Sequence, residues 1–335
     1  MSGSNTERNA DSTDARALVD PEIAPLIELL PLIDLSPETL EEARRLSKID
    51  PRLYDESLKP TEVAIESHSP SPLMALLFDP PRTSGPRGAV LHLHGGGMVM
   101  GSADMARVSI PSIALAHDIV VLSVDYRLAP EFPFPAQLED AEAALTWLLD
   151  HREALQIRED RIFLMGESAG GGLAAGLAIK LRDEGGPVIA GQVLTYPMLD
   201  NRTGNERDPH DHGLAGEFIW TRERNQFGWS ALGTEKQLDA KRLGWFSPGR
   251  AQSLEDLPPA FVATGEIDLF RCENFEYARR LKEAGVHCEF HCYPGAIHGF
   301  DLMRRSRLAR QYRADLHDWL ARSIRGDTSY EKCAK

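Results

Sequence analysis

Cysteine is scarce in this chain. The four residues, Cys272, Cys288, Cys292 and Cys333, are spread over 335 positions and form no CxxC pair. That excludes a secreted scaffold stapled by disulfides, and reduced thiols in a cytoplasmic setting are expected. Long apolar runs are missing too: none approaches the roughly 18 uncharged residues that a membrane helix needs, so no membrane span is expected. The opening stretch MSGSNTERNADSTDARALVD has no apolar core of the kind a signal peptide carries. Positive charge is in deficit, with 37 Lys and Arg against 51 Asp and Glu and a formal net charge of -14. Such a surface repels phosphate backbones and anionic headgroups, which argues against nucleic acid as a partner. Internal repeats are absent as well.

What is present divides into three parts. Residues 1–18 are small and polar and read as a disordered tail. Residues 19–55 read as short cap helices: PEIAPLIELLPLIDL is apolar but broken by prolines, and Ser36-Pro37 looks like a helix start, followed by Leu40, Ala43 and Leu46 at helical spacing. From residue 56 to about 325, β-branched runs alternate with helical patterns. AVLHL, IVVLSV, RIFLM, GQVLTY, PAFVATG and VHCEFHCY read as strands. Between and after them, DAEAALTWLLDHREAL, GGLAAGLAIKLRDEG, NFEYARRLKEAG and LARQYRADLHDWLARSI read as helices. Strands alternating with helices predict an α/β fold with a mostly parallel sheet covered on both faces. A weakly patterned stretch, about 201–248, interrupts this order and reads as an insertion.

Two glycine-rich turns carry the chemistry. Gly166-Glu167-Ser168-Ala169-Gly170 lies between a strand and a helix, the context of a nucleophile elbow, although a plain βα turn has the same composition. His94-Gly95-Gly96-Gly97 follows AVLHL, and consecutive glycines let backbone N–H groups face a ligand. A developing oxyanion needs two or three such donors. A phosphate loop is the rival, disfavoured because the stretch has neither a GK[ST] ending nor GxGxxG spacing. The run His287-Cys288-Glu289-Phe290-His291-Cys292 suggests a metal site, but strand alternation puts the two histidines on one face and the two cysteines on the other. No metal and no organic cofactor is expected.

HGGG, then DYRLAPE at 125–131, FPFPAQLEDAEAALTWL, GESAG, GEIDLFR and finally PGAIHGF at 294–300 occur in one order over roughly residues 60–320. In this the chain resembles the hormone-sensitive-lipase-like family of α/β-hydrolases. The resemblance implies the α/β-hydrolase fold, with helices on both faces of the sheet and a helical cap. It also implies carboxylic-ester hydrolysis by a triad of Ser168, Asp268 and His298, with oxyanion donors at Gly96, Gly97 and Ala169. The residues agree, since Asp268 and His298 each follow a late strand, where a triad acid and base can converge on the nucleophile. Two departures stand out: Leu269 follows the acid where the family often has proline, and Glu167 precedes the nucleophile where it often has aspartate. Glu167 reads as a structural carboxylate beside the elbow, and Arg127 with Glu131 as an ion pair fixing a loop.

A small-molecule ester of small to medium acyl length is the expected partner. Met98, Met100, Phe218 and Trp220 are candidate pocket residues, with Phe227 and Trp229 either lining the pocket or anchoring the insertion. A homodimer is compatible with the sequence. Three other functions share the same motifs: a hydrolase-fold lyase or dehydratase, a lactonase on a specialised metabolite, and a non-catalytic ligand-binding receptor.

Overall fold

A computed structural model of the chain describes residues 15–30, 33–67, 71–82 and 85–326. Eight strands form one sheet: β1 Thr61–Ile65, β2 Leu73–Phe78, β3 Arg87–Leu93, β4 Val120–Val124, β5 Ile157–Glu167, β6 Gly191–Thr195, β7 Ala260–Gly265 and β8 Cys288–Tyr293. Their order is β1-β2-β4-β3-β5-β6-β7-β8. The β1–β2 and β2–β4 pairs are antiparallel and all others are parallel. This is the α/β-hydrolase fold expected above.

Every residue of β3, β4, β6 and β7 is buried. That is why these strands read as unbroken apolar runs, since a parallel sheet is covered on both sides. Alternate side chains serve two cores. Ala89, Leu91 and Leu93 of β3 and Ile162 and Leu164 of β5 enter one, whereas Val90, Phe163 and Met165 enter the other. The first core is closed by helices such as α4 Ala136–Asp150, α5 Ala169–Glu184 and α8 Arg271–Glu283. The second is closed by α3 Ala106–His117, α9 Arg307–Arg325 and the N-terminal residues Ala15, Val19, Ile23 and Leu26.

Among the described residues of 19–55 there are two short α-helices, α1 Pro25–Leu29 and α2 Leu40–Leu46. Residues 1–14 of the tail expected from the sequence lie outside the described residues, as does Cys333. Residues 15–18 correct that expectation, because Ala15 is wholly buried and its carbonyl accepts from the Leu18 N–H. Helix α3 has no counterpart in the sequence reading. Pro111 interrupts it and frees the carbonyl of Arg107, four residues back. The Asp55 N–H takes that carbonyl at 2.9 Å, so the helix persists with its backbone satisfied. Within 201–248 the chain forms α6 Arg222–Leu232 and α7 Ala240–Phe246.

The fold creates one crevice by its connectivity. From β3 the chain moves to β4 on one side and then crosses to β5 on the other. At such a switch point the loops after the two strands diverge, and the gap outside their carboxyl ends accommodates ligands. The glycine loop follows β3 and the GESAG turn follows β5.

Candidate active site

Ser168 occupies the turn between β5 and α5 with φ 55° and ψ -119°. An L-residue in this region is strained, so the surroundings must impose it. The Ser168 N–H donates to Thr195 O and its carbonyl accepts from Gly172 and Met198 N–H, at 2.9–3.0 Å. The helix then passes so close to β3 that a Cβ on Gly170 would sit 2.0 Å from Leu93 O. Glycine is therefore required where GESAG ends.

The loops after β7 and β8 bring Asp268 and His298 to this serine. His298 Nδ1 lies 2.8 Å from Asp268 Oδ2, and Nε2 lies 2.9 Å from Ser168 Oγ. With Nδ1–H donating to the carboxylate, Nε2 is left to accept the serine proton. Asp268 Oδ1 accepts from Phe270 N–H at 2.9 Å, so both carboxylate oxygens are engaged. All three side chains are buried. Tyr196, Phe270 and Trp220 surround the imidazole, with ring centroids 4.6, 5.4 and 6.3 Å away. Leu269, which follows the acid, is buried in the first core.

The glycine loop faces the serine across the crevice. Gly96 has φ 120° and Gly97 φ 63°, and a Cβ on either would stand 2.1 Å from a neighbour, Met100 O or Trp220 Cη2 respectively. Neither N–H has a backbone acceptor among the described residues. Ala169 opens α5, whose first N–H groups lack intrahelical partners. His94 braces the loop from below. Its ring stacks on Tyr126 at 4.1 Å and its Nδ1 donates to Gly95 O at 2.8 Å, while the Tyr126 hydroxyl donates to His94 O. Burial holds the His94 imidazole down at about 4, so it is neutral.

Glu167 belongs to a second, partly buried hydrogen-bond chain. Its carboxylate accepts from His92 Nε2 at 3.0 Å, and His92 Nδ1 accepts from the Ser123 hydroxyl at 2.8 Å. The expected Arg127–Glu131 pair does not form. Arg127 binds Asp140 and Glu139 on α4, whereas Glu131 pairs with Arg44 of α2. Arg44 also donates to Val99 O at 2.8 Å and Ala129 O at 3.0 Å, which ties the N-terminal segment to the chain just beyond the glycine loop. The sequence could not show this, since Arg44 and Glu131 are 87 positions apart.

Above the serine lies a cavity of about 260 Å³. Its walls draw on the N-terminal segment (Leu30, Ile33, Leu46), the insertion (Ile219, Trp220, Arg224), α3 and α9. Of the candidate pocket residues, Trp220 and Met100 line it. Met98 and Phe218 do not: each is buried in one of the two cores. For Phe218 the reason is local. The sharp turn through Ile219, at φ 63°, sends Trp220 to the cavity and leaves Phe218 packed beneath. Trp229 packs against Phe246, and Phe227 lies against the same core, so both anchor the insertion. No sequence signal marked Leu30, Ile33 or the α3 residues, because each contributes one wall from a distant stretch. Among the described residues no helix is long and apolar enough to cross a membrane.

Comparison with known proteins identifies the family. A family described as alpha/beta hydrolase fold matches residues 90–302. The chain is 32% identical over 300 residues to carboxylesterase NlhH of Mycobacterium tuberculosis, covering 87% of this chain and 91% of that one. It is 33% identical over 222 residues to the gibberellin receptor GID1A of Arabidopsis thaliana, covering 64% and 63%. The solved structure of a bacterial heroin esterase superposes with a TM-score of 0.84 at 31% identity, covering 92% of this chain and 98% of that one. The chain belongs to the hormone-sensitive-lipase-like family of α/β-hydrolases and is a carboxylesterase-like hydrolase.

Proposed function

We propose that the chain hydrolyses carboxylic esters through an acyl-enzyme, with Ser168 as nucleophile, His298 as base and then acid, and Asp268 as its orienting carboxylate. One observation carries the reading: a buried Ser168–His298–Asp268 hydrogen-bond chain at the floor of a largely apolar cavity. In the first step Ser168 Oγ bonds to the ester carbonyl carbon as His298 Nε2 takes its proton. The Gly96, Gly97 and Ala169 N–H groups bind the oxyanion. His298 then gives the proton to the leaving alkoxide. Water, deprotonated by the same nitrogen, attacks the acyl-enzyme and releases the acid. Asp268 stabilises the imidazolium at each transfer, and no metal or organic cofactor takes part.

Residues 19–55 and the insertion at 201–248 act as a cap over a 56–325 catalytic domain, since both supply cavity walls. A space of about 260 Å³ suits a small to medium acyl ester. Three free thiols, at Cys272, Cys288 and Cys292, suit a reducing cytoplasm.

The test is steady-state hydrolysis of 4-nitrophenyl esters from acetate to octanoate. Wild type is expected to turn over the shorter ones, and Ser168→Ala to lose about four orders of magnitude or more. Full activity in that variant overturns the assignment. The likeness to a hormone receptor favours one second reading, binding without turnover on the same scaffold. Tight ligand binding with no hydrolysis of any ester would establish it. Analysis of products separates hydrolysis from elimination or lactone opening.

A further inference from the structure

The cavity wall formed by α3 and α9 contains two arginines. Arg304 follows the His298 loop and Arg313 lies on α9; both line the cavity and both are half-buried. Arg304 reaches across to α3, where its Nη1 donates to Val108 O at 2.8 Å. Arg313 Nη2 donates to Arg304 O at 2.6 Å. Backbone carbonyls are thus their acceptors, and neither guanidinium forms an ion pair among the described residues. Arg127, equally half-buried, is paired with Asp140 and Glu139, whereas Arg224, which lines the same cavity, also donates to backbone carbonyls, those of Ile219 and Ile33. A guanidinium has five N–H donors in a fork that matches a carboxylate, so each has donors to spare.

Two acidic groups line the same cavity, and both are occupied. Glu167 accepts from His92, and Asp301 accepts from the Tyr196 hydroxyl. Burial lowers the affinity of Arg313 for its proton, and the neighbouring Arg304 charge lowers it further, more than Asp301 restores it. Two like charges side by side in a partly dry wall repel each other, and an anion seated between them relieves that repulsion. With Arg224, three arginines line the cavity against Glu167 and Asp301, a local excess of positive charge in a chain that carries 14 more acidic than basic residues.

We propose that this wall binds a carboxylate carried by the ester itself, so that the preferred substrates are carboxylate-bearing esters such as half-esters of dicarboxylic acids. This rests on the hydrolase reading and adds a substrate class to it. The carboxylate can belong to the acyl or the alcohol part, and matched pairs of esters separate the two. Monomethyl adipate against methyl hexanoate tests the acyl side, and 6-acetoxyhexanoate against hexyl acetate tests the alcohol side.

In at least one pair the charged ester is expected to have the higher kcat/KM, by about tenfold or more. Arg304→Gln with Arg313→Gln is expected to lower the charged-to-neutral ratio about 10- to 100-fold, the range of a charge-assisted hydrogen bond. Arg313→Gln alone, should the double variant fold poorly, is expected to lower the ratio by a smaller factor. Raising salt on the wild-type enzyme, which needs no variant, is expected to slow only the charged ester. Turnover of the neutral esters with no charged preference in either pair overturns this subsite and leaves the hydrolase reading intact. An unchanged ratio in the variants also overturns it. Failure to hydrolyse any of the four esters overturns the hydrolase reading first, and this proposal with it.

Discussion

Gly97→Ala leaves Ser168, His298 and Asp268 untouched, yet it is expected to cripple turnover. The native φ of 63° is left-handed, which costs an L-residue about 1–2 kcal/mol. The new methyl would also stand 2.1 Å from Trp220 Cη2, whereas carbon atoms rest about 3.5–4 Å apart. Trp220 cannot simply retreat, because it is buried and its Nε1–H donates to Asn225 Oδ1 at 3.2 Å. Helix α6 blocks the loop as well: even a Cβ on Gly228 would come within 2.9 Å of Gly97 O. The loop must therefore shift by an ångström or more, and the Gly97 N–H moves with it. Loss of one oxyanion donor lowers kcat about 10²- to 10³-fold, with little change in KM expected. In the Gly97→Ala background, Trp220→Leu removes the ring and leaves only the backbone strain, so kcat should recover about tenfold. The assay is kcat and KM on 4-nitrophenyl butyrate, with circular dichroism to check the fold. A wild-type kcat in Gly97→Ala, or a double variant worse than the single, refutes the reasoning.

Two further predictions concern protons. His94 binds its proton at about 4 when folded against about 6.5 when unfolded, because burial disfavours the charge. As pH falls through 6.5 the unfolded chain takes up a proton that the folded chain refuses, so stability drops between pH 6.5 and 4, by at most about 3 kcal/mol from this group. Urea unfolding at pH 7.5 and 5 should show the loss, and His94→Phe should flatten it; an equal slope in the variant contradicts this. Cys272 lies beside His212 and Arg271, which together draw its thiol below the ordinary range, with His212 the larger influence. Burial instead pushes the Cys288 thiol up to about 12. Iodoacetamide at pH 7.5 should therefore alkylate Cys272 first and Cys288 last, as peptide mass spectrometry would show; early labelling of Cys288 contradicts the assignment.

What could be read from the sequence follows from which forces are local. β3, β4, β6, β7 and the RIFLM part of β5 were legible because burial on both faces demands apolar runs, and α5 because its glycines must clear Leu93 and Met198. Helix α3 escaped because Pro111 argues against a helix and only a distant residue, Asp55, makes it acceptable. Ser168, Asp268 and His298 stood out because each lies in a short motif at a strand end. Cavity walls have no such motif. Met98 was chosen for its place after the glycines and Phe218 as an aromatic of the insertion; both pack into the cores instead, Phe218 because the turn at Ile219 sends Trp220 to the cavity. Arg44, Arg304 and Arg313 were invisible because their partners lie on other elements.

The account turns on the Ser168 oxygen being a nucleophile that His298 activates. Treatment with a fluorophosphonate, followed by peptide mass spectrometry, tests that most directly, since phosphonylation needs the activated oxygen and the anion cradle together. The expected result is a single adduct on the peptide carrying Ser168, absent from His298→Ala. No adduct, or one on Ser123, the hydroxyl held by His92, would contradict it.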